Sequence, residues 1–181
     1  MIMDNLLLLD GSVSATGALS GTAVNSGVTF TVGSTTSANI LDTSQLASSS
    51  SGYGRDMGIG EGLEFVCMLT AACTGATATL QVQLQYAPDS SGSPGSFVTV
   101  AQTPAIPVAS LTAGAELFRC KLPAMIPDPA TGSALPKYIQ VNYVVGTANL
   151  TAGTILSLIC LDKTALGPLM GYRSGYSNAY L

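Results

Sequence analysis

Asp56, Glu61 and Glu64 are the one concentration of carboxylates in this chain, three acids within nine positions of a glycine-rich stretch, with Arg55 beside them. Two carboxylates flanking a bond are all that glycoside hydrolysis requires, so these acids are the first candidates for chemistry. The rest of the composition argues against it, because glycosidases hold sugars on aromatic platforms and the chain has no tryptophan. Histidine is absent as well. That removes Ser-His-Asp and Cys-His nucleophiles together with the usual imidazole base at neutral pH. The expectation is a protein that is not an enzyme and has no catalytic residues.

Cofactor and metal sites fare no better. Gly58-Ile59-Gly60-Glu61-Gly62 is superficially a dinucleotide fingerprint, yet its third glycine is misplaced and it precedes a strand. No helix N-terminus is therefore offered to a pyrophosphate, and the glycines read as a turn anchored by Arg55 and Asp56. Cys67, Cys73, Cys120 and Cys160 lack CxxC spacing. Without histidine, a mixed zinc site is excluded, and an all-cysteine site would lack its paired knuckles. Buried free thiols are the expectation, because three of the four fall inside apolar strand patterns; a disulfide stays open. Asn149-Leu150-Thr151 matches a glycosylation acceptor, which has no meaning without a secretion signal.

Charge narrows the partners. Only 9% of residues are charged, with six basic against ten acidic, a net charge of -4 and no run of Lys or Arg. Nucleic-acid binding needs clustered cations and is not expected. Mean hydropathy is +0.44, so much of the surface must be uncharged, and such surfaces usually have partners. The leucine run Leu6, Leu7, Leu8, Leu9 lies between Asp4 and Asp10 without a basic flank, which is not a signal peptide. Ile155 to Leu161, the longest later apolar stretch, is too short to span a bilayer. A soluble protein that does not enter membranes is expected.

The elements that would position these residues are strands. Val28, Phe30 and Val32 alternate with Thr29 and Thr31 across Val24 to Val32, a half-buried strand. Leu63 to Thr70 is apolar almost throughout, as a strand covered on both faces would be. Leu80, Val82, Leu84 and Tyr86 alternate with Gln81, Gln83 and Gln85, a strand with one wet face. Pro88 to Gly95 reads as a turn or loop, and Phe97 to Ala101 as a further strand. Leu117 to Leu122 turns Phe118, Cys120 and Leu122 inward with Arg119 and Lys121 outward. Ile139, Val141, Tyr143 and Val145 alternate with Gln140, Asn142 and Val144, and Thr154 to Leu161 supplies a last strand.

Seven or eight strands separated by turn chemistry, with no crossover helix, predict an all-β fold, an antiparallel β-sandwich or jelly roll. It carries an extended N-terminal arm (residues 1–22), a sandwich domain (23–163) and a C-terminal tail (164–181). A short helical turn is expected near Asp42 to Leu46. The long polar stretch from Ser34 to Gly62 is either a functional loop or an ordinary surface excursion. Tyr172, Tyr176 and Tyr180 are evenly spaced in the glycine-rich tail, which suits either an interface or a frayed end.

Two stretches carry a resemblance. One is Arg55-Asp56-Met57-Gly58-Ile59-Gly60-Glu61-Gly62 leading into a strand, followed by Thr79 to Gln85 and Val100-Ala101-Gln102-Thr103-Pro104-Ala105-Ile106-Pro107. The other is Lys137-Tyr138-Ile139-Gln140-Val141-Asn142-Tyr143-Val144-Val145, then Thr151-Ala152-Gly153-Thr154 and a strand ending at Leu161-Asp162. Across residues 55 to 163 the chain resembles the cement, or decoration, proteins that stabilise the outside of tailed-bacteriophage heads. The resemblance implies a sandwich that assembles as a symmetric homodimer or homotrimer. Its seat would be the outer surface of the virion, where major capsid subunits of the HK97-type fold meet, and it brings no cofactor and no catalytic residues. Contacts are then expected from the arm (Leu6, Leu7, Leu8, Leu9), the long loop (Tyr53, Arg55, Asp56) and the tail (Tyr172, Tyr176, Tyr180). A different virion sandwich, such as a tail or receptor-binding module that recognises carbohydrate, is the alternative.

Overall fold

The computed structural model describes residues 8–13, 19–23, 30–43, 63–122 and 136–160. Among them run fourteen strands: β1 (Leu8–Asp10), β2 (Ser12–Val13), β3 (Leu19–Ser20), β4 (Thr22–Ala23), β5 (Gly33–Thr36), β6 (Leu41–Asp42), β7 (Glu64–Thr74), β8 (Thr79–Ser90), β9 (Ser93–Pro94), β10 (Val98–Gln102), β11 (Ile106–Pro107), β12 (Glu116–Lys121), β13 (Pro136–Gly146) and β14 (Ala152–Cys160). All pair antiparallel. The first sheet has the order β1-β14-β7-β12, with β4 also on β14; the second has the order β10-β8-β13-β5, with β6 on β13 and β9 and β11 on β8. β7 pairs β14 in one sheet while β8 pairs β13 in the other, a nested winding of the kind that makes a jelly roll. The fold is an antiparallel β-sandwich. No helix among the described residues is long and apolar enough to cross a membrane.

The core lies between the sheets and follows from period-2 alternation. Leu80, Val82, Leu84 and Tyr86 of β8 and Ile139, Val141, Tyr143 and Val145 of β13 face Phe65, Cys67, Leu69, Ile155 and Ile159 of the first sheet. Phe30 packs on Tyr143 with ring centroids 5.0 Å apart. The first sheet is apolar on its other side too, where Leu8, Val66, Met68, Leu156, Leu158 and Cys160 form a second buried cluster. This explains why Phe65 to Leu69 is an unbroken apolar run: both faces of β7 leave water. Each such aliphatic side chain contributes about 1.5 to 3 kcal/mol by leaving water.

Several expectations need correction. Residues 8–10 and 22–23 are not a free arm: β1 and β4 pair β14 and extend the first sheet, while β2 and β3 form a small ribbon between them. Phe30 and Val32 do not share a face; Phe30 is buried and Val32 is 55% exposed, because the chain bends before Gly33 and the strand starts only there. Asp42 lies in β6, opposite Tyr138, and the rest of the helical turn expected there, residues 44–46, falls outside the described set. Pro88 does not end its strand: β8 runs on to Ser90 and reverses through Ser91 (φ 56°) and Gly92 (φ 85°). Positive φ at both central residues is the two-residue hairpin turn whose twist matches the flanking strands.

Gly153, inside the Thr151 to Thr154 stretch, sits where the β14 register slips against β7. Its φ is +129°, and a Cβ there would stand 2.5 Å from Cys73 Sγ and 2.9 Å from Cys73 Cα. Gly153→Val combines a strained backbone with overpacking, so urea unfolding is expected to show a loss of about 3 kcal/mol or more. Gly33→Ala, at φ +124° with nothing within 4 Å, isolates the strain and is expected to cost about 1 kcal/mol.

Candidate functional site

Leu6, Leu7, Tyr53, Arg55, Asp56, Tyr172, Tyr176 and Tyr180 lie outside the described residues, as does Glu61. Leu8 and Leu9 are described, and neither is a surface contact: they are 1% and 0% exposed. Leu8 joins the outer cluster and Leu9 the central core, since neighbouring residues of a strand point to opposite faces. A leucine pair on a strand buried on both sides satisfies two cores at once. Of the three acids, only Glu64 is described, and its Oε2 accepts from Arg119 Nε at 2.9 Å and Nη2 at 2.6 Å across the β7–β12 pair.

The distinctive polar surface is the outward face of the second sheet. Gln81, Gln83 and Gln85 of β8 stand beside Gln140 and Asn142 of β13 and Thr99 and Gln102 of β10, as the registers Gln85↔Gln140, Gln83↔Asn142 and Gln83↔Gln102 require. Their amides are bonded to one another. Gln140 Nε2 donates to Gln85 Oε1 at 2.8 Å, and Asn142 Nδ2 donates to Gln83 Oε1 at 2.8 Å. Gln83 Nε2 reaches Gln102 Oε1 at 3.1 Å, Gln85 Nε2 reaches Thr99 Oγ1 at 3.1 Å, and Gln81 Nε2 donates to the Thr103 carbonyl at 2.8 Å. This lattice is rigid, polar and uncharged. Because the amides are ordered in advance, a partner meeting this face loses little side-chain entropy in doing so.

At one end of the face Asp89 Oδ1 accepts from Tyr138 Oη at 2.9 Å and Lys137 Nζ at 3.1 Å, with Asp42 Oδ2 3.6 Å from the same ammonium. The Tyr138 and Lys137 donors hold the Asp89 carboxyl below its ordinary range. Beyond Asp89 charge vanishes: no charged residue occurs from Ser90 to Ala115, the span that contains β9, β10 and β11. β10 borders β8 on one side, and among the described strands none pairs with it on the other.

A second polar group is buried between the sheets. Asp10 is 1% exposed; its Oδ1 accepts from the Ala38 N–H at 2.9 Å and its Oδ2 from Tyr143 Oη at 2.5 Å, with Ser157 Oγ 2.6 Å from the same hydroxyl. Burial pushes the Asp10 carboxyl up to about 6, against the pull of the Tyr143 and Ala38 donors. Cys67 beside it is pushed up to about 12, mainly by burial. Buried from water, these groups tie β1, β13 and β14 together. Cys67, Cys73, Cys120 and Cys160 are free thiols, and burial raises Cys73 to about 11, far from a reactive thiolate. Among the described residues no group of three or more cysteines and carboxylates is placed to hold a metal.

Neither the amide lattice nor the Asp10 node was singled out as a site in the sequence. The glutamine alternation was the available signal for the first, read there only as a wet face. For the second, the signals are Asp10 at the end of a leucine run and Ser157 inside an apolar one.

No curated protein matches the chain. A family model does match, over residues 25–159, a span that covers β5 to β13 and all of β14 but its last residue. That span is well over half of the sequence and contains the whole amide lattice, so this chain belongs to the Bbp16 family.

Proposed function

We propose that this chain is a capsid cement protein that binds the outer surface of a phage head and clamps neighbouring major capsid subunits of the HK97-type fold. The observation that carries this reading is the pre-ordered, charge-free amide face of the second sheet, a surface suited to lasting contact and lacking the charge that a freely solvated sheet face usually carries. The family's name points to a phage protein, which supports a virion setting. The resemblance to cement proteins through Thr79 to Gln85 and Lys137 to Val145 falls on the two strands that bear this face. A shell under outward pressure from its packaged genome gains from many modest contacts repeated around it, each acting at high effective concentration.

Co-sedimentation with heads built from the major capsid protein of the same virus tests this. Gln83 sits at the centre of the lattice and is half-buried, so Gln83→Lys places a charge in the contact, with circular dichroism and thermal unfolding of the variant checking that the fold is kept. The expected result is binding by the native chain and an affinity loss of about tenfold or more for the variant. Equal occupancy by both would move the contact off this face. No binding by the native chain, with clear hits on a saccharide array, would replace the cement reading with a carbohydrate-recognising module.

A further inference from the structure

The amides on the second sheet are joined in one direction. The Thr103 backbone carbonyl can only accept, so it holds Gln81 Nε2 at 2.8 Å and leaves Gln81 Oε1 facing Gln83. Thr103 is itself buried and pinned to β8, its N–H donating to the Val82 carbonyl and its Oγ1 accepting from the Val82 N–H. An amide oxygen cannot donate either. Gln83 must therefore present Nε2 to Gln81 Oε1, at 3.3 Å, and the same nitrogen gives its other hydrogen to Gln102 Oε1 at 3.1 Å. That turns Gln83 Oε1 towards Asn142 Nδ2, at 2.8 Å, and Gln85 Nε2, at 3.5 Å, while Gln85 Oε1 accepts from Gln140 Nε2. One main-chain carbonyl sets the orientation of the whole lattice, and donation runs from β13 through β8 to β10.

The two margins of the face are therefore unlike. On β10, Gln102 is exposed with its Oε1 engaged, and its Nε2 donates to no described residue; Thr99 Oγ1 accepts from Gln85 Nε2 and keeps its own hydrogen to give. On β13, the nitrogens of Gln140 and Asn142 are engaged, and their oxygens accept from no described residue. Among the described residues no side-chain nitrogen or oxygen is both buried and without a partner, so these two oxygens reach solvent. We propose that this face is a polarised docking surface whose partner is an uncharged patch of the head subunit, with acceptors over the β10 margin and donors over the β13 margin. The strand segments that build the face, residues 33–36, 79–88, 98–102 and 138–146, hold no charged residue, so a charged patch would lose its water with nothing opposite to replace it. The central amides are already bonded to one another, which leaves the margins to make new bonds. A partner turned end for end would set donor against donor and acceptor against acceptor, so the polarity also selects one orientation. This deepens the cement reading and rests on it for the identity of the partner.

Side-chain amide exchange, followed by NMR on the full chain alone, should be slow for Gln81 and Gln83 and fast for Gln102; equal or reversed rates would overturn the direction of the lattice. Heads assembled from the major capsid protein of the same virus are the probe for the partner. Affinity of the native chain should change less than about threefold between about 0.1 M and about 1 M salt. Thr36, exposed on β5 and opposite Asn142, shares its face and marks the acceptor margin as Gln102 marks the donor margin. Gln102→Lys should bind heads about tenfold or more tightly than Gln102→Glu, and Thr36→Glu should exceed Thr36→Lys by a similar factor. A preference for the same sign at both positions, or steep salt dependence of the native chain, would overturn the inference by showing a charged patch on the partner. No preference at either position would overturn it by showing that the polarity is not read. Each of these leaves the cement reading in place, whereas failure of the native chain to bind heads would sink that reading and this inference with it.

Discussion

Asp10→Asn is expected to raise stability at neutral pH by up to about 3 kcal/mol and to change it little below about pH 4, as read from urea unfolding at a series of pH values. The folded chain holds this carboxyl protonated up to about 6, against an ordinary value of 3.8. Its contribution is therefore full below the unfolded value and is lost as pH rises through the folded one, leaving a buried carboxylate above it. The groups that face Asp10 do not titrate in that window: Cys67 is pushed to about 12, and Tyr143 is raised well above its ordinary value, burial being the main cause for each. Asn fits the same place. Its Oδ1 accepts from Ala38 N–H, its Nδ2 donates to Tyr143 Oη, and the Tyr143 hydroxyl donates to Ser157 Oγ. The difference between native and variant profiles isolates Asp10 from Asp89, whose lowered carboxyl acts in the opposite sense in both. Parallel profiles would show that the Asp10 carboxyl titrates in the folded chain as it does in the unfolded one.

The main strands were legible because they obey a local rule. β8 and β13 alternate cleanly, and β7 is an unbroken apolar run, so their inner faces could be named residue by residue. What failed was set by partners distant in sequence. Leu8-Leu9-Asp10 is too short to show a period, and its strand character comes from β14, with Leu8 opposite Leu158 and Asp10 opposite Ser157. Read locally, Asp10 bounds a leucine run; in the fold it is interior. Gln140 and Asn142 have the spacing of solvent-facing residues yet are 5% and 7% exposed, because β13 has neighbours on both sides and their amides are bonded to Gln85 and Gln83 of β8. The same neighbours turn a wet face into an ordered lattice, which no single strand could announce. Phe30 and Val32 failed for the converse reason: a bend interrupts the period that the sequence suggests.

Tyr143→Phe is expected to cost about 2 to 4 kcal/mol at neutral pH and markedly less near pH 4. The ring is fully buried and its packing on Phe30 survives the substitution, so only the hydroxyl is lost. That hydroxyl donates to Asp10 Oδ2 and meets Ser157 Oγ, and without it a sealed carboxylate keeps a single donor, the Ala38 amide. The Asp10 midpoint should move further up, since one of the two donors that lower it is gone. Combined with Asp10→Asn, the same change should cost only about 1 kcal/mol, because a neutral amide left short of one bond is a far smaller burden than a charge. The difference between the two costs is the coupling energy of the node, and a double-mutant cycle measures it directly. Additive effects would mean that the Tyr143 hydroxyl stabilises the fold independently of the Asp10 carboxyl. A large coupling would show that the Tyr143 hydroxyl stabilises the fold chiefly through its bond to the Asp10 carboxylate, a charge-assisted contact that adds to the pairing of β1 with β14.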